Sequence, residues 1–332
     1  MYSLLQHNTF GINAYCRNFI SYKTVKELRS IIPTLKDQQW FHIGRGSNLL
    51  FVEDFDGTIL HSEIDDFEVV REDLNHVYLR VGAGHEWDSL VEKCVSKGYY
   101  GIENLSLIPG EVGASAVQNI GAYGAEVSQF IETVETVNAQ SGEFRVFTNE
   151  DCHYSYRNSI FKGELRNQYI VTHVVYRLNK RFQPELNYGA ILQQLEKHNL
   201  KPETLSAHDL RNVIIEIRKN KLPDPHEIGS AGSFFMNPVV SLTKFSELEA
   251  KYPQIPHYVV SGGIKIPAGW MIEQCGWKGK RVGAVGVYDK QALVIVNWGN
   301  ATGQEVVALC ESIQSDVYHK FGIKIYPEVI FI

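Results

Sequence analysis

Apolar residues spaced three and four apart alternate along this chain with short runs of β-branched and aromatic residues, the pattern of a mixed α+β protein. Val25, Leu28 and Ile31 follow Thr24, and Glu27 completes a capping-box pair, which predicts a helix over 24–31. Residues 40–43 read as an apolar strand, 57–61 as a second, and Val77, Leu79 and Val81 alternate with Tyr78 and Arg80 as a half-buried third. Trp87, Leu90, Val91, Cys94 and Val95 form a helical stripe that Gly98 is placed to end. After residue 124 the chain becomes strand-rich, with its strongest β signal over 169–178. Residues 181–205 turn polar and helical, and Pro184, Pro202 and Pro223 place the main boundary between 180 and 225. Ser206 with Asp209 starts an amphipathic helix carrying Leu210, Val213, Ile214 and Ile217. Thr302 with Glu305 starts another carrying Val306, Leu309, Ile313 and Val317. A short strand at 292–296 lies between them, and the chain closes on an apolar strand at 325–332 containing one acid, Glu328.

Two glycine-rich stretches interrupt this rhythm: Gly44-Arg-Gly-Ser-Asn-Leu-Leu50 and Ile108-Pro-Gly-Glu-Val-Gly-Ala-Ser-Ala-Val-Gln-Asn-Ile-Gly-Ala-Tyr-Gly124. Small residues with bare main-chain amides let a backbone approach a pyrophosphate closely, so a dinucleotide is the natural ligand class. Neither stretch has the Gly-x-Gly-x-x-Gly of a nicotinamide-binding Rossmann unit, and neither is followed by a Walker lysine.

Composition narrows the function further. The chain has 332 residues, 44% hydrophobic and 21% charged, enough for two or three domains with substantial cores. A net charge of -6 argues against nucleic acid or an anionic membrane as partner. The five cysteines are odd in number and widely spaced, which indicates free thiols in a reducing cytoplasm, and the twelve histidines show no metal-ligand spacing. No basic leader or membrane-length apolar run is visible, so a soluble, cytoplasmic protein is expected.

Three residues stand out chemically. Glu328 lies in an apolar strand, where it either faces outward or projects into a cavity. Arg157, among Tyr154 and Tyr156, could hold a carboxylate or phosphate by a bidentate fork, or be a surface arginine. Ser233, among small residues, is either a turn hydroxyl or a proton donor. No Gly-x-Ser-x-Gly elbow marks a hydrolase nucleophile.

Taken together, seven blocks resemble the UDP-N-acetylenolpyruvoylglucosamine reductase (MurB) family over essentially the whole chain. They are 8–12, 46–50, 107–124, 156–162, 221–225, 232–235 and the pair Pro327-Glu328. The resemblance implies an α+β protein with an FAD-binding fold of the vanillyl-alcohol-oxidase (PCMH) kind in two subdomains, plus a smaller α+β substrate-binding domain. It places them at 1–65, 66–205 (with a polar insertion at about 181–205) and 206–320, with 321–332 returning as a strand to the FAD-binding half. It implies NADPH-dependent reduction of enolpyruvyl-UDP-N-acetylglucosamine to UDP-N-acetylmuramate, in a monomer. Arg157, Ser233 and Glu328 would be catalytic, with Ser233 the proton donor. Gly44, Gly46, Ser47, Asn48 and Leu49 of the first stretch would hold FAD. So would Pro109, Gly110, Gly113, Ala114, Ser115, Asn119, Gly121 and Ala122 of the second. Tyr123, Tyr188, Lys221, Asn237, Lys278 and Gln291 would bind substrate, Tyr188 marking the subgroup with a tyrosine-bearing substrate loop. Arg45, Asn158 and Met236 depart from the commoner family residues without touching a proton-transfer position. A flavin oxidase of the same fold is the alternative activity. A nucleotide-sugar-binding protein without catalysis is disfavoured, because all three catalytic positions are kept.

Overall fold

Local rules set the helix ends. The Thr24 hydroxyl accepts from the Glu27 amide at 3.1 Å, opening the helix Val25–Ile31. Gly98, at φ 75°, closes Trp87–Lys97. Thr302 and Glu305 cap each other reciprocally at the head of Gly303–Phe321, and Ser206 and Asp209 do the same before Ala207–Lys221.

The computed structural model describes all 332 residues, which group into two units. The first comprises Met1–Tyr2, Cys16–Arg45 and Asp56–Lys219; the second comprises Ser3–Tyr15, Gly46–Phe55 and Asn220–Ile332. In the first unit, Trp40–Ile43 pairs in parallel with Phe55–Ser62 in a four-stranded sheet. A five-stranded antiparallel sheet follows, in the order Phe144–Thr148, Ile131–Asn138, Tyr169–Asn179, His76–Gly82 and Phe67–Glu72. Val77, Leu79 and Val81 point from it into a core shared with Trp87, Leu90, Val91, Val174 and Leu178. Burying each such side chain contributes roughly 1.5–3 kcal/mol. Trp87 keeps its indole N–H satisfied on the Leu105 carbonyl at 2.9 Å.

The second unit has a four-stranded antiparallel sheet and a three-stranded one, with the helices Leu242–Lys251, Ala268–Gln274 and Gly303–Phe321. Ile330–Phe331 pairs in parallel with Leu49–Leu50, the exit of the first glycine stretch. The cysteines are all free thiols. No helix is long and apolar enough to cross a membrane.

The structure departs from the sequence-based expectation in several places. Between 181 and 205 the α-helix covers only Gly189–Lys197, because Pro184 and the turn at Asn187 keep the preceding residues irregular. The closing strand is divided: residues 326–328 pair antiparallel with 234–236 around the Phe235–Pro327 bridge, and only Ile330–Phe331 pairs with Leu49–Leu50. The strand expected at 292–296 is instead Ile295–Asn297. The contact boundary falls at 219/220 rather than 205/206, because Leu210, Val213 and Ile214 pack with Ile191 and Leu195. Residues 46–55 likewise group with the second unit.

His42 is buried against Tyr22, whose hydroxyl lies 2.7 Å from Nε2, and burial with the nearby His61 lowers its pKa to about 3. A base with a depressed folded pKa binds fewer protons folded than unfolded. Its stability contribution is therefore complete above pH 6.5 and is lost as pH falls from there toward 3. At pH 5 the loss is on the order of 2 kcal/mol. The expected result is that His42→Gln flattens the stability profile between pH 5 and 7 in urea unfolding.

Candidate active site

Gly44 and Arg45, the part of the first glycine-rich stretch that lies in the first unit, meet the second stretch there. A side chain on Gly44 would lie 3.0 Å from Glu111 Oε2 and 3.6 Å from Ala114 Cβ, so absent atoms allow the first stretch to touch the second. Gly113 is required for a similar reason, because a Cβ there would fall 2.9 Å from Ala83 Cβ and push the helix Val112–Gln118 off its strand. The Gly113 amide donates to the Ala83 carbonyl at 2.9 Å, which fixes that approach.

Glu111 sits at this junction almost wholly buried. Burial raises its pKa, while a 3.0 Å contact with His61 Nε2 and the Arg45 guanidinium 3.8 Å away oppose the rise. Arg45 also pairs with Glu86 at 3.1 Å. The unusual arginine of the first stretch thus answers two carboxylates.

Arg157 is brought onto the end of the second stretch. It adopts φ 56°, and its Nη2 donates to the Gly121 carbonyl at 2.6 Å and Nη1 to the Asn119 carbonyl at 3.4 Å. Asn119 is itself pinned: its side-chain amide donates to Glu126 and to the Ser155 carbonyl, and its oxygen accepts from the Ser128 amide. Lys162 closes the turn by donating to Gln118 and to the Arg157 carbonyl. Asn158 is exposed beside it.

Tyr123 packs edge-on against Tyr188 with ring centres 5.3 Å apart. Its hydroxyl is hydrogen-bonded to Arg218, and burial raises its pKa against the pull of that cation. Sequence reasoning missed Arg218. Its signal was present, since half-buried Arg218 continues the line of buried Arg211 and Ile214 on Ala207–Lys221, where a cation needs a partner.

In the second unit, the segment following Ser233 pairs with the one carrying Glu328, 95 positions on in the sequence. The Glu328 amide donates to the Phe234 carbonyl at 2.8 Å, the Met236 amide to the Tyr326 carbonyl at 2.9 Å, and Phe235 bridges Pro327. Ser233 is exposed and Glu328 half-buried. Asn48 of the first stretch joins them, its side chain donating to the Glu328 carbonyl at 3.3 Å and its own carbonyl accepting from Ile330 at 3.0 Å.

The remaining expected substrate residues of this unit are spread out. Asn237 accepts from the Ala268 amide at 2.9 Å, Lys278 pairs with Glu273 at 2.9 Å, and Gln291 accepts from the Leu293 amide at 3.2 Å. Lys221 is exposed at the end of its helix, and Met236 is half-buried.

Comparison with known proteins gives this arrangement its context. Residues 17–148 match the FAD binding domain model, and residues 224–332 match the model described as UDP-N-acetylenolpyruvoylglucosamine reductase, C-terminal domain. A Bacteroides fragilis protein named UDP-N-acetylenolpyruvoylglucosamine reductase is 53% identical, covering 100% of this chain and 99% of the relative. A Porphyromonas gingivalis protein of the same name is 50% identical over 100% and 98%. One from Burkholderia ambifaria is 41% identical over 98% and 95%. The crystal structure of UDP-N-acetylenolpyruvylglucosamine reductase (MurB) from Thermus caldophilus shares the fold, with a TM-score of 0.70 at 22% identity over 99% of this chain and 96% of that one. Full-length identity at this level, with an FAD-binding domain ahead of the matching C-terminal domain, establishes that the chain belongs to the UDP-N-acetylenolpyruvoylglucosamine reductase family.

Proposed function

We propose that this chain reduces enolpyruvyl-UDP-N-acetylglucosamine to UDP-N-acetylmuramate, a step of peptidoglycan precursor synthesis, with FAD as resident cofactor and NADPH as reductant. Its family membership and FAD-binding domain support the activity. The single observation that supports it is the backbone pairing of 234–236 with 326–328, which brings the segment following Ser233 alongside the one carrying Glu328, itself bonded by Asn48.

The glycine stretches fit the cofactor. They meet where Gly44 faces Ala114 and the Glu111 carboxyl, which His61 and Arg45 answer, and the small residues of both stretches suit a pyrophosphate. Gly44, Gly46, Ser47, Asn48 and Leu49, together with Pro109, Gly110, Gly113, Ala114, Ser115, Asn119, Gly121 and Ala122, would hold it. Bound FAD supplies hydride transfer from NADPH to the terminal enolpyruvyl carbon. Ser233 then gives its hydroxyl proton to the carbon bearing the carboxylate and recovers one from solvent, to which it is exposed. Arg157, as a fixed cation, and Glu328, if protonated or sharing a proton, stabilise the charge that develops there. The carbonyl contacts of Arg157 hold it in place before substrate arrives.

Tyr123, Tyr188, Lys221, Asn237, Lys278 and Gln291 would bind the diphosphate and the sugar. Tyr188, which packs on Tyr123, would be the tyrosine of the substrate loop that marks the subgroup. The working arrangement is a cytoplasmic monomer with two FAD-binding subdomains and a substrate domain.

The test is FAD content together with cofactor consumption. The purified protein is expected to be yellow and to oxidise NADPH only when the enolpyruvyl sugar is added. Peroxide formation with another alcohol or sugar, and none of this turnover, would favour the oxidase.

A further inference from the structure

We propose that Asp88 and Arg211 are positioning residues for substrate binding, acting through a strained corner at Leu107 that they hold in place. This rests on the reductase reading above, because it takes the ligand beside Tyr123 to be a nucleoside diphosphate sugar.

Leu107 stands immediately before the second glycine stretch, and its backbone adopts φ 58°. This is the left-handed region, costly for a residue with a Cβ and persistent only where the surroundings impose it. Both polar groups of the residue are held by charged side chains. Its amide donates to Asp88 Oδ1 at 2.5 Å, and its carbonyl accepts from Arg218 Nε at 3.2 Å.

Asp88 is in turn gripped from 123 residues away. Arg211 donates to both its oxygens, Nη1 to Oδ1 at 2.7 Å and Nη2 to Oδ2 at 3.0 Å, in the bidentate geometry that fixes direction as well as distance. Arg211 is buried. Burial raises the Asp88 pKa, but the bonds from Arg211 and Leu107 outweigh it and leave the carboxyl below its ordinary value. The carboxylate is therefore charged at neutral pH.

The corner matters because of what its other side holds. Arg218 lies one face-repeat along the same helix from Arg211, and it bonds both the Leu107 carbonyl and the Tyr123 hydroxyl. Tyr123 packs on Tyr188. A single chain of contacts thus runs from the Asp88–Arg211 pair through Leu107 to Arg218 and the two tyrosines. An ion pair serving stability alone would have no need to impose a left-handed leucine between itself and a second arginine.

The conformational argument gives a sharp experiment. Glycine adopts φ near +60° unaided, so Leu107→Gly removes the need for the clamp. In Asp88→Ala, calorimetric Kd for UDP-N-acetylglucosamine is expected to rise at least about tenfold. KM for the enolpyruvyl sugar should rise in parallel, with kcat and FAD content within about threefold of wild type. Adding Leu107→Gly to Asp88→Ala should return Kd and KM to within about threefold of wild type. Asp88→Asn, which keeps the shape and one acceptor, serves in the same cycle if the alanine variant does not fold. Unchanged Kd in the single variant, or a raised Kd that Leu107→Gly fails to restore, overturns the proposal. Wild-type protein that binds the nucleotide sugar but does not turn over the enolpyruvyl substrate refutes the reductase reading instead, and the Kd cycle still decides the role of the pair.

Discussion

Ser233→Ala leaves flavin reduction by NADPH at its wild-type rate and slows reoxidation by enolpyruvyl-UDP-N-acetylglucosamine about a thousandfold, the middle of the range for a lost general acid. The substitution is clean because the hydroxyl is exposed and the backbone around it is fixed by others. The Phe234 amide donates to the Leu293 carbonyl at 2.7 Å, and the Phe234 carbonyl accepts from Glu328 at 2.8 Å. The neighbouring strand should therefore stay in place, and the melting temperature should move by no more than a degree or so, as for a surface change. Rapid-mixing absorbance separates the two half-reactions. Equal slowing of both would show that the variant disturbs the site as a whole, and an unimpaired second half would remove Ser233 from proton transfer.

Gly46→Ala destabilises the protein by about 3 kcal/mol, combining the left-handed backbone with overpacking. Gly46 has φ 67°, and a Cβ there would lie 2.0 Å from the His7 carbonyl oxygen and 2.8 Å from Asn8 Cα. That segment cannot yield easily. Asn8 is buried and bonded to the Leu4 carbonyl at 2.8 Å, the Ile12 carbonyl at 3.0 Å and the Ile12 amide at 2.9 Å. Gly232 is the matched control, with φ 68° and nothing within 4 Å of its missing side chain. Gly232→Ala should cost only about 1 kcal/mol, the conformational part alone. Urea unfolding of the two variants measures the difference, and equal losses would show that the contact at His7 is not what requires glycine.

The elements legible in the sequence are those decided within a few residues. Thr24 with Glu27, Gly98, and Thr302 with Glu305 announce helix ends because a cap is a contact across three positions. Period-2 alternation at Val77, Leu79 and Val81 announced the strand, but not that Tyr78 on its other face is buried as well. Where a distant partner decides, the pattern was silent or too generous. The apolar run 325–332 looks like one strand, but it changes partners, 326–328 pairing with 234–236 and Ile330–Phe331 with Leu49–Leu50. The polar stretch 181–205 looks helical throughout, although only Gly189–Lys197 buries an apolar face, through Ile191 and Leu195.

The candidate site divides in the same way. The glycine stretches could be read directly, because small residues in such a density have few other uses. Their meeting at Gly44 and Glu111, and the pairing of Phe234 with Glu328, span 67 and 94 positions, which no periodicity encodes. Motif order, recognised as a family resemblance, supplied what local physics could not. Arg218 and the Asp88–Arg211 pair escaped both routes. Each is an ordinary charged residue on a helix until Leu107, more than a hundred positions from both arginines, is seen to need them.

The most direct measurement is an anaerobic single turnover. Enzyme whose FAD has been reduced by one equivalent of NADPH is freed of nicotinamide and mixed with enolpyruvyl-UDP-N-acetylglucosamine, while flavin absorbance and product mass are recorded. The account predicts that the yellow colour returns without oxygen and that one equivalent of UDP-N-acetylmuramate appears, heavier than the substrate by two hydrogens. A flavin that stays reduced until air is admitted, with the substrate unchanged, would contradict it.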